Sequence, residues 1–173
     1  SGDSLIAGNP NKFSKSVKSK FHEASSIFTK DGKTMYFTRN NFLDGKRGKD
    51  SKSVTLLKMY KSTLVDGQWA NIAELPFNSD NYSVAHPALS LDEKTLYFAS
   101  DMPGTLGQSD LFKVTINENG TYSTPENLGA KINTEGRETF PTISAENELY
   151  FASDGRPGLG GLDIYVTRLD ENQ

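Results

Sequence analysis

The chain has 173 residues, no cysteine, and 19 basic against 22 acidic side chains, for a formal net charge of −3. That length holds one domain with a core of its own, and the missing thiols exclude disulfide staples, thiolate metal sites and cysteine catalysis. The balanced charge argues against a nucleic-acid binder, which needs a Lys/Arg surplus, and no apolar run nears the roughly 18 residues of a membrane span.

The opening residues, "SGDSLIAGNP", have neither the basic start nor the long apolar stretch of a signal peptide and read as the cut end of a longer chain. Lys12, Lys15, Lys18 and Lys20 form a basic comb, read as a solvated face. Phe13, Val17 and Phe21 are spaced for a helix. Yet the same stretch aligns without gaps to residues 126–139, which contain Gly129 and Gly136, so an extended or irregular form is predicted.

Three similar segments follow: "SSIFTKDGKTMYFTRN" at 25–40, "HPALSLDEKTLYFASD" at 86–101 and "FPTISAENELYFASD" at 140–154. Their aromatic pairs, Tyr36-Phe37, Tyr97-Phe98 and Tyr150-Phe151, lie 61 and 53 residues apart. In each segment two strands flank a tight turn, "KDGK", "LDEK" or "AEN". Leu96 and Phe98 alternate with Tyr97 and Ala99, so both faces of that strand are apolar, as expected for a strand covered on both sides. A third apolar stretch comes next ("LLKMYKSTL", "DLFKVTI", "DIYVTRL"), then a segment led by Trp69 in the first unit and Tyr122 in the second. Both aromatics are read as packing residues.

Four short antiparallel strands in roughly 53 residues, with two apolar faces and no helix, describe one blade of a β-propeller. A lone blade cannot bury both faces; stacked neighbours can. The predicted fold is therefore an all-β propeller of about three four-stranded antiparallel blades. It forms a partial ring, taken as a fragment of a six- to eight-bladed propeller. Residues 1–24 end a preceding blade, 25–79 form the first blade, 80–134 the second and 135–173 an incomplete third. Open blade edges predict self-association.

The first unit carries an insertion at 41–54, rich in Gly, Lys and Asp. It is long, charged and not required by the blade, so Asp44, Lys46, Arg47, Lys49, Asp50 and Lys52 are the predicted interaction loop. The connection after the second strand repeats a motif. It reads Ser100-Asp101, Pro103-Gly104, Leu106-Gly107 and Asp110, then Ser153-Asp154, Pro157-Gly158, Leu159-Gly160 and Asp163. Asp101, Asp110, Asp154 and Asp163 are calcium candidates, since carboxylates beside Gly-shaped carbonyls suit a hard cation. Alternate-residue oxygen spacing is absent, and a rigid hairpin with Asp accepting backbone N–H groups is preferred.

His22 and His86 stand at different repeat positions, too few for a zinc site. There is no G-x-S-x-G elbow and no P-loop. Glu23 and Glu138 occupy equivalent positions in two units, which favours a repeated structural role over paired-carboxylate chemistry. No catalytic residue, cofactor or resident metal is predicted.

"FTKDGKTMYFTRN", "LSLDEKTLYFASD" and "ISAENELYFASD" resemble propeller repeats of the TolB type. "LPFNSDNYSVAHPALS" and "INTEGRETFPTIS…LYFASDGRPGLGGLDIY" are similar to the propeller segment of OmpA-family envelope proteins of Bacteroidetes, some tied to type IX secretion and gliding. The resemblance implies a non-catalytic scaffold for envelope proteins, periplasmic and associated with the outer membrane. Peptidoglycan would be met only through a domain outside this chain. A glycan- or peptide-binding propeller and the non-catalytic propeller cap of a peptidase are the alternatives.

Overall fold

The computed structural model describes residues 23–40, 42–43, 46–47 and 56–169, and every regular element among them is a strand. The basic comb, the 13/17/21 spacing and His22 lie outside the described residues.

The first hairpin joins β1 (Glu23–Phe28) to β2 (Thr34–Asn40). Its turn is written in side chains. The Thr29 hydroxyl donates to Asp31 Oδ1 at 2.6 Å, the Lys33 N–H donates to the same oxygen at 2.9 Å, and the Thr34 N–H donates to Thr29 Oγ1 at 3.0 Å. After the two-residue strands β3 (Phe42–Leu43) and β4 (Lys46–Arg47) come β5 (Leu57–Val65), β6 (Gln68–Glu74), β7 (Val84–Leu89) and β8 (Thr95–Ser100). The turn between β7 and β8 copies the first. Ser90, Asp92, Lys94 and Thr95 stand where Thr29, Asp31, Lys33 and Thr34 did, with bonds of 2.6, 3.0 and 2.9 Å. Hydrogen bonds from Thr29 and Ser90, then from the backbone, hold the Asp31 and Asp92 carboxyls below the usual carboxylate pKa.

The remaining strands are β9 (Asp110–Thr115), β10 (Glu126–Asn127), β11 (Glu138–Ile143), β12 (Glu148–Ser153) and β13 (Asp163–Arg168). They complete three antiparallel sheets, ordered β1-β2-β5-β6, β7-β8-β9-β10 and β11-β12-β13.

Register explains the repeated aromatic pair. Phe37 faces Tyr60 across the ladder, Phe98 faces Phe112, and Phe151 faces Tyr165. Neighbouring residues on a strand point to opposite faces. Tyr36 therefore looks toward the second sheet and Phe98 back toward the first, while Tyr97 looks toward the third and Phe151 back toward the second. Tyr36 and Met59 of the first sheet meet Leu96, Phe98, Phe112 and Val114 of the second in one core, closed by Leu75 and Phe77 from the connection. Ala99 and Leu111 of the second sheet meet Leu149 and Phe151 of the third, with Ile132 from the next connection. The sheets are thus stacked flank to flank as successive blades.

Each connection also sends an asparagine into the preceding blade. Asn78 Oδ1 accepts the Met59 N–H at 3.0 Å while its Nδ2 donates to the Met59 carbonyl at 2.7 Å. Asn133 treats Leu111 the same way, at 2.8 and 3.0 Å. The side-chain amide acts as one more rung of ladder. Asn133→Ala is expected to cost about 2 kcal/mol in urea unfolding, since a buried N–H and C=O lose their partner. Asn78→Ala, at a half-buried copy, should cost about 1 kcal/mol.

Candidate functional site

The innermost strands of the three blades, β1, β7 and β11, lie side by side. Each breaks its register at one place, between Ala24 and Ser26, Ala85 and Ala88, and Thr139 and Thr142. At these bulges Ser25, His86 and Phe140 take left-handed φ of 41°, 59° and 52°. Without glycine such backbone costs on the order of 1–3 kcal/mol per residue and concentrates at binding and switch sites. Here it recurs at one equivalent position in three consecutive blades.

The three side chains meet. Ser25 Oγ lies 2.9 Å from His86 Nδ1, and the His86 and Phe140 ring centroids are 4.1 Å apart. The His86 N–H donates to Thr38 Oγ1 of the first blade at 2.9 Å, tying the bulge to its neighbour. Along this row runs a groove of about 350 Å³, walled by Ile27, Phe28, Leu89 and Ile143 with Ser26 and Thr142 as polar points. Phe140 is half exposed within it.

Burial pushes the His86 pKa below its ordinary value, so the imidazole is neutral at pH 7. A neutral imidazole beside a serine resembles part of a nucleophilic pair. Among the described residues, however, no carboxylate meets the second ring nitrogen to orient it, as a triad requires. Apolar walls with a few fixed polar points suit the binding of an extended segment better.

The four candidate aspartates are occupied locally. Asp101 Oδ1 accepts the Ser83 N–H at 2.6 Å, and Asp154 Oδ1 accepts the Arg137 N–H at 2.6 Å, one residue before each inner strand. Arg137 adds Nε and Nη2 bonds to Asp154 Oδ2 at 2.8 and 2.7 Å. The bonds from Arg137 hold the Asp154 carboxyl below the usual range.

Asp110 and Asp163 turn into their own loops. Asp110 Oδ2 accepts Leu106 N–H and Asn127 Nδ2 at 2.8 and 2.7 Å, and Asp163 Oδ2 accepts Gly160 N–H at 3.3 Å. Asp110 Oδ1 is buried without a hydrogen-bond partner. Among the described residues no three His, Asp or Glu side chains converge as a metal site. The first blade has Lys58 at this register position, its Nζ 2.8 Å from both Glu74 and Asp80. Burial works against the ammonium there, but the bonds from Asp80 and Glu74 outweigh it and raise the Lys58 pKa.

The loops themselves stack. Gln108 N–H donates to the Gly136 carbonyl at 2.8 Å, and a Cβ at Gly107 would run into the backbone of residues 134–136. Glycine is needed there for close approach.

Lys46 and Arg47 of the insertion form β4, which pairs with β3. Asp44, Lys49, Asp50 and Lys52 lie outside the described residues. Trp69 is buried among Met35, Phe37 and Tyr60, with Phe28 at 5.5 Å. Tyr122 packs edge-on against Phe77 at 5.7 Å. Glu23 pairs with Arg39 and Glu138 with Ser153, equivalent places in their ladders.

The left-handed row escaped the sequence reading because Ser, His and Phe announce no special backbone. One signal was present: His86-Pro87 and Phe140-Pro141 put proline after the bulge residue in two units.

No protein-family model matches this sequence, and no curated protein does. Solved structures match it by shape. The crystal structure of TolB from Acinetobacter baumannii is similar at 18% identity and a TM-score of 0.53, over 83% of this chain and 29% of that one. A puromycin-hydrolyzing peptidase of Mycobacterium tuberculosis is similar at 17% identity and a TM-score of 0.56, over 87% of this chain and 21% of that one. The chain thus spans less than a third of either neighbour, and identities this low speak to fold alone. By fold, this chain is a run of β-propeller blades, a partial propeller.

Proposed function

We propose that this chain is a non-catalytic protein-interaction module that receives an extended polypeptide along the groove of its inner strands. The observation that carries the reading is the row Ser25, His86 and Phe140. It holds left-handed backbone in three consecutive blades and lines one groove of about 350 Å³. Strain repeated without glycine fits a surface shaped for contact. The likeness of residues 69–166 to envelope proteins supports a place in the bacterial periplasm. There the module would act as a scaffold within a larger, peptidoglycan-associated protein of the OmpA family at the outer membrane.

Peptide display tests this. Extended peptides selected on the chain should lose at least about tenfold in affinity for Phe140→Asp, which puts a charge into the groove. In parallel, ester and fluorogenic peptide substrates should not turn over. Turnover that Ser25→Ala abolishes would make the Ser25–His86 contact catalytic and overturn the reading. So would peptides that ignore Phe140→Asp.

A further inference from the structure

The two aspartates that cap inner strands keep different company. Asp101 follows Ser100, which pairs with Val84, and Asp154 follows Ser153, which pairs with Glu138. The residues just before those inner strands, Ser83 and Arg137, are therefore equivalent. Each gives its backbone N–H to Oδ1 of its aspartate at 2.6 Å. In the third blade the other carboxylate oxygen is taken too: Arg137 Nε and Nη2 reach Asp154 Oδ2 at 2.8 and 2.7 Å. In the second blade a serine stands where that arginine would, and Asp101 Oδ2 meets no donor among the described residues.

A cavity of about 190 Å³ lies beside Asp101, with Ser83, His86, Gln108 and Thr139 in its lining. The lining holds one carboxylate and no lysine or arginine. Its Ser100 and Ser109 hydroxyls are spent on the Ser83 and Glu138 carbonyls, at 2.6 and 3.0 Å. Thr139 Oγ1 and the Gln108 side-chain amide make no hydrogen bond among the described residues, so acceptors stay open near the carboxylate. His86, neutral at pH 7, does not repel a cation there. It also walls the inner-strand groove, so the two cavities share it as a border.

We propose that this cavity is the specificity pocket of the inner-strand groove and takes an arginine side chain of the bound peptide. The guanidinium pairs with Asp101 Oδ2 as that of Arg137 pairs with Asp154 Oδ2 one blade later. Its other N–H groups have Thr139 Oγ1 and the Gln108 amide oxygen as acceptors. Arginine suits the pocket better than lysine, because its planar fork offers several donors in fixed directions to several acceptors. The proposal rests on the peptide-binding reading above and names the residue that the groove selects.

Random peptides displayed against the full 173-residue chain test it, with the strongest binder remade as a fluorescent peptide for anisotropy. Arginine is expected at one fixed position. Replacing it by citrulline, which keeps the shape and drops the charge, should weaken binding about fivefold, the upper end for an ion pair open to solvent. Asp101→Asn should do the same without moving the melting temperature, since the amide oxygen still accepts the Ser83 N–H. Ser83→Arg, which supplies the arginine from within the chain, should also weaken it. Salt should weaken the arginine peptide more than the citrulline peptide on the parent chain, and both equally on Asp101→Asn.

Peptides that lose affinity for Phe140→Asp yet carry no arginine, or that bind Asp101→Asn as tightly as the parent, overturn this proposal and leave the groove reading standing. Arginine peptides that need Asp101 but ignore Phe140→Asp keep the arginine site and overturn its link to the groove. The absence of any binder overturns both.

Discussion

Phe98→Ala is expected to lower the unfolding free energy by about 4 kcal/mol, the range for truncating a fully buried aromatic. In a chain of this size that is a fall of roughly 12 °C in melting temperature. Phe98 is 0% exposed and stands at the contact of the first two blades. Its ring is near parallel to two others, Phe77 at 4.9 Å and Phe112 at 6.0 Å. Phe77 belongs to the connection and Phe112 to the adjacent strand, so the truncation opens a cavity that three separate segments would have to move to fill. Phe98→Leu should recover more than half of the loss, since most of the volume stays. Phe140→Ala is the matched control, a half-exposed phenylalanine whose removal should cost under about 1 kcal/mol. Urea unfolding measures all three. If Phe98→Ala cost no more than Phe140→Ala, the blades would not be held together by this core.

Glu138→Ala is expected to cost about 3 kcal/mol, for a different reason. The Glu138 carboxylate is fully buried. It accepts the Thr134 N–H at 2.8 Å, the Thr134 hydroxyl at 2.7 Å and the Ser153 hydroxyl at 2.5 Å. Its backbone N–H donates to the Ser109 carbonyl of the second blade at 2.8 Å, and the Ser109 hydroxyl donates back to the Glu138 carbonyl at 3.0 Å. Removing the side chain strands three donors, two of them on the connection that reaches the third blade. Part of that loss is returned, because a charge no longer has to be desolvated.

Glu138→Gln should recover about half, since the amide oxygen still accepts while its NH2 faces a donor. Val84 holds the equivalent place in the second blade and is also fully buried. The site is thus buried in both the second and the third blade, and a glutamate there must bring donors with it. An Ala variant as stable as the parent would show that the three donors find water instead.

Much of the architecture was open to reading because it follows from local rules. The pairs Tyr36-Phe37, Tyr97-Phe98 and Tyr150-Phe151 put one ring on each face of a strand, and a strand with two apolar faces must be covered twice. Thr29-Asp31-Lys33 and Ser90-Asp92-Lys94 close their hairpins through neighbours two to five residues away. The candidate site was not open in this way. Ser25, His86 and Phe140 share no chemistry, so their alignment carries no message until the inner strands stand side by side. Asp101 and Asp154 are equivalent in the repeat and both cap an inner strand, yet one meets a serine N–H and the other an arginine.

By itself, the sequence determined the period, the hairpins and the two-sided burial of each sheet, because those depend on residues close along the chain and on side chains that alternate. Only the tertiary structure decided where the backbone turns left-handed, which loops touch, and which side chains of neighbouring blades meet. These depend on what a neighbouring blade, some fifty residues away in the chain, offers as a partner, and a single strand holds no record of that.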